Sequence, residues 1–212
     1  MLSQTRRQAL FGDIDRVVVS RRRIARRVAE LGRQIARSCD GQELTIVAVL
    51  SGAMVFLSDL IRRLPLPVSI QTVFVRSYRG RSCRSGVARL HLPVNLCVRR
   101  KHVLVVDDIL DSGRTLRAIL AKVAAGRPAS LRSCVLLRKA CANAPGRPPV
   151  QFVGFDIGDE FVVGYGLDFD DRYRNLPDVC VLKPSRRDRA AGGRRRPRRA
   201  AQRVKRTRRA RT

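Results

Sequence analysis

Residues 103–116 read VLVVDDILDSGRTL. Val103 to Val106 is a wholly apolar run, too short for a helix of its own and suited to a strand covered on both faces. Asp107 and Asp108 follow, and Asp111-Ser112-Gly113-Arg114-Thr115 turns the chain into a helix expected from about Thr115 to Ala125. Strand, Gly turn and helix make one βα unit of a parallel sheet, whose ligands collect in the crevice at the carboxyl ends of the strands. Gly113 permits close backbone approach, Ser112 and Thr115 offer hydroxyls, and the first N–H groups of a helix have no partner within it. Together they make a phosphate cradle. Paired carboxylates beside it suit ribose hydroxyls and Mg2+, a hard cation that takes a few oxygen ligands and keeps water.

The same grammar recurs outward. Leu44 to Leu50 (LTIVAVL) ends at Ser51-Gly52 and runs into a helical pattern from Ala53 to Arg63. Val68 to Val75 and Leu131 to Leu137 read as strands, while Gln151 to Phe155 and Phe161 to Tyr165 are shorter β candidates joined by a Gly-Asp turn. Ser20 to Arg37 places Ile24, Val28, Leu31 and Ile35 on one stripe of an amphipathic helix with Ser20 as its cap. Arg21 to Arg23 sit in the first turn, where the helix dipole slightly disfavours them. These elements predict a three-layer α/β domain with a mostly parallel central sheet flanked by helices. Tyr78 to Arg89 is rich in Gly, Ser and Arg and is expected to be a mobile, functional surface loop.

The 212 residues fit one domain of ordinary size, and 44% hydrophobic content excludes global disorder. Apolar runs are far shorter than the ~20 residues that span a bilayer. Met1 to Phe11 carries Arg and no acid, loosely like a transit peptide, but no apolar signal core follows; a cytoplasmic location is expected. The six cysteines (Cys39, Cys83, Cys97, Cys134, Cys141, Cys180) form no CxxC pair and read as reduced thiols, several of them core filler. His91 and His102 stand alone, in structural or surface roles. The net charge of +28 comes from 45 basic and 17 acidic residues and points to a polyanionic partner. From Arg186 to Thr212 there are 14 basic residues and one acid, so this low-complexity tail, expected to be disordered, holds +13 of that excess. The remaining +15 belongs to the body.

Rival interpretations of residues 103–116 are weaker. GxxxxGK[ST] is absent, so this is not a P-loop. VLVVDD also opens receiver domains of response regulators, but there it lies near the domain start, whereas about a hundred residues precede it here. A purely structural strand and helix cap would crowd three carboxylates within five residues with no cation to offset them.

The segment resembles the phosphoribosyl-pyrophosphate motif of type I phosphoribosyltransferases, and most closely that of the hypoxanthine-guanine phosphoribosyltransferases. LSGAMVFLSDL at Leu50 to Leu60, SYRG at Ser77 to Gly80, LLRK at Leu136 to Lys139 and VGFDIGDEFVVGYGLDFDDRYRNLP at Val153 to Pro177 resemble that family in the same order. The resemblance implies the family's type I fold, with a small hood and a mobile active-site loop over the sheet. It divides the chain into an N-terminal extension (1–19), the phosphoribosyltransferase domain (20–184) and the Arg-rich tail (185–212). It also implies a Mg2+-dependent purine-salvage activity that makes IMP or GMP and pyrophosphate from hypoxanthine or guanine.

The residue roles implied by the resemblance follow. Asp111, Ser112, Gly113, Arg114 and Thr115 would hold the 5-phosphate, with Asp107 and Asp108 near the ribose hydroxyls and metal. Asp111 would face purine N7 as general base or acid. Ile109 and Lys139 would line the purine site, with Lys139 on the 6-oxo group; Phe161 would stack on the base and the Val162 backbone would read its exocyclic edge. Asp168 would hold a second Mg2+ and Arg174 the pyrophosphate. Ser51-Gly52 would form the pyrophosphate loop, with a non-proline cis peptide, and Ser77-Tyr78 would ride on a closing lid. A homodimer or homotetramer is implied.

The chain departs from the family pattern at several positions. Ser51 stands where Lys is common, Asp107 where Glu is usual, Arg114 for Lys and Gly158 for Pro, and Arg79 interrupts the Ser-Tyr-Gly run. Arg79, Arg81 and Arg84 make the lid unusually cationic. A competing expectation is a nucleic-acid-binding regulator on the same fold, using residues 185–212 for non-specific RNA or DNA contact with little or no catalysis. No aromatic residue in the tail is available to stack on bases.

Overall fold

The computed structural model describes residues 12–76, 89–91, 96–140 and 147–184. In chain order the elements are β1 (Ile14–Val19), α1 (Arg21–Cys39), β2 (Leu44–Leu50), α2 (Met54–Ile61), β3 (Val68–Arg76), β4 (Arg89–His91), β5 (His102–Leu110), α3 (Arg114–Ala125), β6 (Ser130–Lys139), β7 (Phe152–Ile157), β8 (Val162–Val163) and β9 (Val179–Leu182). Six strands lie in the order β4-β3-β2-β5-β6-β7. All neighbours are parallel except β4, which runs antiparallel to β3.

Alternation along the strands builds the layers. Ile46, Ala48, Leu104, Val106, Cys134 and Leu136 share one buried cluster with Ile24, Leu31, Phe56 and Leu60 of α1 and α2. Their neighbours Val47, Val49, Val103, Val105 and Val135 share another with Leu116, Ile119 and Val123 of α3. Two separate apolar clusters on the two faces of one sheet make the expected three-layer α/β architecture. No helix among the described residues is long and apolar enough to cross a membrane.

A second sheet, β1-β9-β8, is antiparallel and forms the hood. Its core is Val163, Tyr173, Leu176, Cys180 and Leu182, with Ile14, Phe161 and Phe169 packed against it. β1 pairs with β9 from Ile14 opposite Leu182 to Val19 opposite Val179, so the folded body reaches back at least to Ile14, ahead of the boundary expected at residue 20. Its pattern hides it: Asp15, Arg16 and Val17 are all exposed. The two short β candidates joined by the Gly-Asp turn go to different sheets. β7 closes the central sheet, the chain leaves it at Gly158, and β8 joins the hood. β8 is only two residues long because Gly164 and Tyr165 take positive φ.

Ser20 occupies the N-cap position of α1, but its side chain caps nothing. The Arg21 N–H instead donates to Asp178 Oδ1 at 2.6 Å, so a hood carboxylate caps this Arg-rich helix start. Cys39, Cys134 and Cys180 are buried free thiols and Cys97 is exposed. His102 Nδ1 lies 2.8 Å from Ser130 Oγ, a structural contact. The lid residues Ser77 and Tyr78, Arg79, Arg81, Arg84, Cys83, Cys141, the first eleven residues and the tail from 185 lie outside the described residues.

Candidate active site

β5 continues past its apolar run: Asp107 pairs with Val135 and Ile109 with Leu137 of β6, and buried Leu110 anchors the end. The paired aspartates therefore ride on a strand rather than a loop. Asp107 is 6% exposed. Its carboxylate accepts the Asp108 N–H at 3.0 Å, and Asp108 Oδ1 accepts the Ile109 N–H at 2.8 Å. Burial, then the neighbouring Asp108 charge, pushes the Asp107 carboxyl well above the usual range. Burial also raises Asp108, against the opposing pull of its hydrogen bonds and of the Arg174 charge.

Beside these carboxylates runs the turn after β2, entered through a cis Leu50–Ser51 peptide. A Cβ on Gly52 would fall 1.7 Å from Asp108 Oδ2, so only glycine lets the loop backbone lie on that carboxylate. On its other side Gly166 approaches so closely that a Cβ there would stand 2.3 Å from the Gly52 carbonyl oxygen. Arg174 closes this half of the site. Its Nη1 donates to Gly166 O at 2.8 Å and its Nη2 lies 3.0 Å from Asp168 Oδ1. Asp168 Oδ2 accepts the Asp171 N–H at 2.9 Å, so both its oxygens are engaged within the hood segment. Tyr165 Oη donates to Asp59 Oδ2 at 2.6 Å, tying that segment to α2.

The other half opens where β5 meets α3. Asp111, Ser112 and Arg114 are exposed, Thr115 half-buried and Gly113 buried. Gly113 is the N-cap residue and has no side chain to cap α3; the Arg114 N–H makes only a long contact, 3.5 Å, with Ser112 Oγ. Gly113 has φ +74°, and a Cβ there would lie 2.9 Å from Pro148 Cδ, so the turn itself already calls for glycine. Lys139, at the end of β6, holds its Nζ 3.6 Å from Asp111 Oδ2 and 3.5 Å from Asp159 Oδ1. Phe161 is half-buried and meets Phe169 edge-on with ring centroids 5.5 Å apart, while Val162 is buried and Ile109 half-buried against the core.

Residues from three strand ends and the hood thus form two adjoining groups: Gly52, Asp108, Asp168 and Arg174 on one side of β5, and Asp111 to Thr115 with Lys139 on the other. Gly166, Asp59 and Arg147 were invisible to sequence reasoning. The pair of glycines flanking Tyr165 was the only hint of the first. Asp59 sits unremarkably in an amphipathic helix, and nothing marked Arg147, whose guanidinium bonds backbone carbonyls of both β5 and β6 (below).

A helix N-terminus beside paired carboxylates, facing a backbone loop and an arginine across a parallel sheet, defines an enzyme class that grips a phosphorylated sugar at two ends. The phosphoribosyl transferase domain family matches residues 18–170. The chain belongs to that family and, within it, to the hypoxanthine-guanine phosphoribosyltransferases. It is 41% identical over 179 residues to the hypoxanthine-guanine phosphoribosyltransferase of Mycobacterium avium, covering 82% of this chain and 88% of that protein. Its Dictyostelium discoideum counterpart is 40% identical over 171 residues, covering 79% and 94%. Similar solved structures include the hypoxanthine-guanine enzyme of Bacillus anthracis (35% identity, TM-score 0.73, covering 80% of this chain and 99% of that one). Another is a variant of the Trypanosoma cruzi hypoxanthine enzyme complexed with its product IMP (32% identity, TM-score 0.77, 86% and 97% covered).

Proposed function

We infer that this protein transfers the 5-phosphoribosyl group of phosphoribosyl pyrophosphate to hypoxanthine or guanine, giving IMP or GMP and pyrophosphate. The observation that carries this is Asp111 beside Lys139, 3.6 Å apart at the uncapped start of α3. N7 and O6 share one edge of a 6-oxopurine, so a carboxylate and an ammonium side by side read that edge together. The C1–O bond to pyrophosphate breaks and a C1–N bond to the purine forms. Asp111 takes the proton the purine loses, and Lys139 donates to the 6-oxo oxygen. Phe161, its ring held by Phe169, stacks on the base, and the Val162 backbone reads the exocyclic edge. The α3 N–H groups with Ser112, Arg114 and Thr115 hold the 5-phosphate. Arg174 and the Ser51-Gly52 backbone hold the leaving pyrophosphate, where negative charge develops. Ser77 and Tyr78 are expected to close over the reacting centre and exclude water.

The donor set suits Mg2+. Asp107 and Asp108 are two hard carboxylates whose pKa values burial pushes up, so a cation is what they lack. An ion held by this pair would take its remaining oxygens from substrate and water, as Mg2+ usually does. When bound, the ion would neutralise charge on the pyrophosphate. Asp168 is the second ligand implied by the family pattern.

A homodimer or homotetramer is the proposed assembly, and Ile70 and Phe74, exposed two turns of pleat apart on β3, supply apolar surface for it. The free thiols accord with a cytoplasmic location. Residues 185–212 are proposed as a loose polyanion contact additional to catalysis.

The test is a panel of hypoxanthine, guanine and xanthine with phosphoribosyl pyrophosphate and Mg2+. IMP or GMP should form, and Asp111→Asn should lower kcat by about 10²–10⁴-fold while affinity for phosphoribosyl pyrophosphate changes far less. Absence of either nucleotide under every metal condition would overturn the assignment.

A further inference from the structure

One guanidinium spans the two strand ends that carry the proposed proton acceptor and the purine-reading lysine. Arg147 Nε donates to the Asp111 carbonyl at 2.7 Å, Nη2 to the carbonyls of Asp111 and of Leu110 (3.1 Å to the latter), and Nη1 to the Lys139 carbonyl at 2.9 Å. Leu110 and Lys139 are the last residues of β5 and β6. Past Leu110 opposite Arg138 the parallel ladder between β5 and β6 stops, and the Asp111 and Lys139 carbonyls beyond it receive no donor from that ladder. The planar fork of Arg147 supplies the missing donors and fixes the separation of the strand ends just where the sheet opens. Arg147 Cγ would also meet a Cβ on Gly113 at 3.1 Å, so the same segment backs the phosphate loop.

We propose that Arg147 is a positioning residue for phosphoribosyl transfer: by bridging the backbone of Asp111 to that of Lys139 it sets the geometry of their side chains toward the purine. This rests on the activity proposed above. The donors named here point at main-chain oxygens, so Arg147 acts through Asp111 and Lys139 rather than on substrate. A lysine keeps the charge but is a single ammonium that cannot serve three carbonyls in two directions.

The experiment uses the full chain carrying Arg147→Lys, Asp111→Asn and both together, with melting temperature, binding of phosphoribosyl pyrophosphate and IMP formation measured on each. Arg147→Lys should lower kcat about tenfold to a hundredfold with a smaller change in phosphoribosyl-pyrophosphate affinity. In the Asp111→Asn background the same change should add little, because the group being positioned is already lost. Arg147→Ala should regain part of its turnover on addition of methylguanidinium, a readout that survives if the lysine variant folds poorly. Full additivity of the two losses, no rescue, or a kcat for Arg147→Lys above half the parent value would overturn the positioning role. An active parent in any of these cases leaves the transferase assignment standing, whereas an inactive parent refutes that assignment first.

Discussion

Replacing Gly166 with alanine should disable turnover although no contact with substrate is proposed for Gly166. Its φ is +102°, and the new Cβ would stand 2.3 Å from the Gly52 carbonyl oxygen. An ordinary C···O contact is about 3.3 Å, so the backbone of Gly52 or of Gly166 must give way by about 1 Å. Gly52 cannot retreat, because its other side already lies against the Asp108 carboxylate, where a Cβ would come within 1.7 Å. Gly166 cannot retreat freely either, since its carbonyl accepts Arg174 Nη1 at 2.8 Å and its N–H donates to the Arg174 carbonyl at 3.0 Å. The displacement therefore falls on the Ser51-Gly52 turn and on Arg174 together. An error of about 1 Å in a positioning element costs about 10²-fold in rate. The left-handed backbone adds about 1–3 kcal/mol of instability, which at about 2–4 °C per kcal/mol lowers Tm by several degrees. The two effects are separable with Gly41→Ala: Gly41 has φ +73° and nothing within 4 Å of a Cβ. That control should lose stability and keep its rate. The assay is kcat/KM for phosphoribosyl pyrophosphate at a temperature where all three proteins are folded. If Gly166→Ala stays within threefold of the parent, or Gly41→Ala loses as much rate as Gly166→Ala, the loop contact is not what positions the site.

Three other outcomes are expected. Asp107 has a folded pKa raised above its unfolded value by burial and by Asp108, so between those values the folded state binds more protons and stability falls as pH rises; in EDTA, Asp107→Asn should flatten that fall and stabilise the protein near pH 8 by about 0.5–2 kcal/mol while abolishing activity, and an unchanged Tm–pH curve would show that the burial is not felt. Iodoacetamide at pH 8 should label Cys97 before Cys134 or Cys180, because burial pushes the Cys134 thiol up and burial with the Asp178 charge pushes Cys180 up to about 11; peptide mass spectrometry finding either buried thiol labelled first in the native protein would contradict it. Deleting residues 186–212 removes a net charge of +13 and should flatten the salt dependence of RNA binding in an anisotropy titration, whereas an identical slope would clear the tail of any role.

Local pattern carried the layers and missed what joins them. Leu44 to Leu50 could be assigned to its residue because a strand covered on both faces is apolar throughout, and its first six side chains are buried. Ile24, Val28, Leu31 and Ile35 are all at most 2% exposed, as a 3.6-residue stripe requires. The hood was legible only through family resemblance, because β1 exposes three consecutive residues and β8 is two residues long; neither has a period to detect. Its ties to the body are pairs far apart in the chain. Asp178 caps Arg21 across 157 residues, and Tyr165 reaches Asp59 across 106. Periodicity is blind to such closures, since each partner alone looks like an ordinary surface polar residue.

The same division explains why the chemistry-bearing motif was readable and its geometry was not. Asp107 to Thr115 are contiguous, so strand end, carboxylates and helix start arrive together from one stretch of chain. Lys139, Arg147 and Arg174 enter from elements that only the parallel order β5-β6-β7 and the hood bring alongside. Asp107 takes the place where the family usually has Glu, and its shorter side chain is almost wholly buried against Asp108 rather than reaching outward. That burial raises its pKa, so the proposed cation would relieve this pair of carboxylates more strongly than it would relieve an exposed pair. Metal affinity and apo-stability should therefore move in opposite directions at this position: Asp107→Glu, which extends the carboxylate by one methylene, should raise apo-Tm in EDTA if the longer arm reaches water, and weaken the stabilisation gained on adding Mg2+ with phosphoribosyl pyrophosphate. A variant that gains on both counts would mean that the buried position of Asp107 has no part in holding the ion.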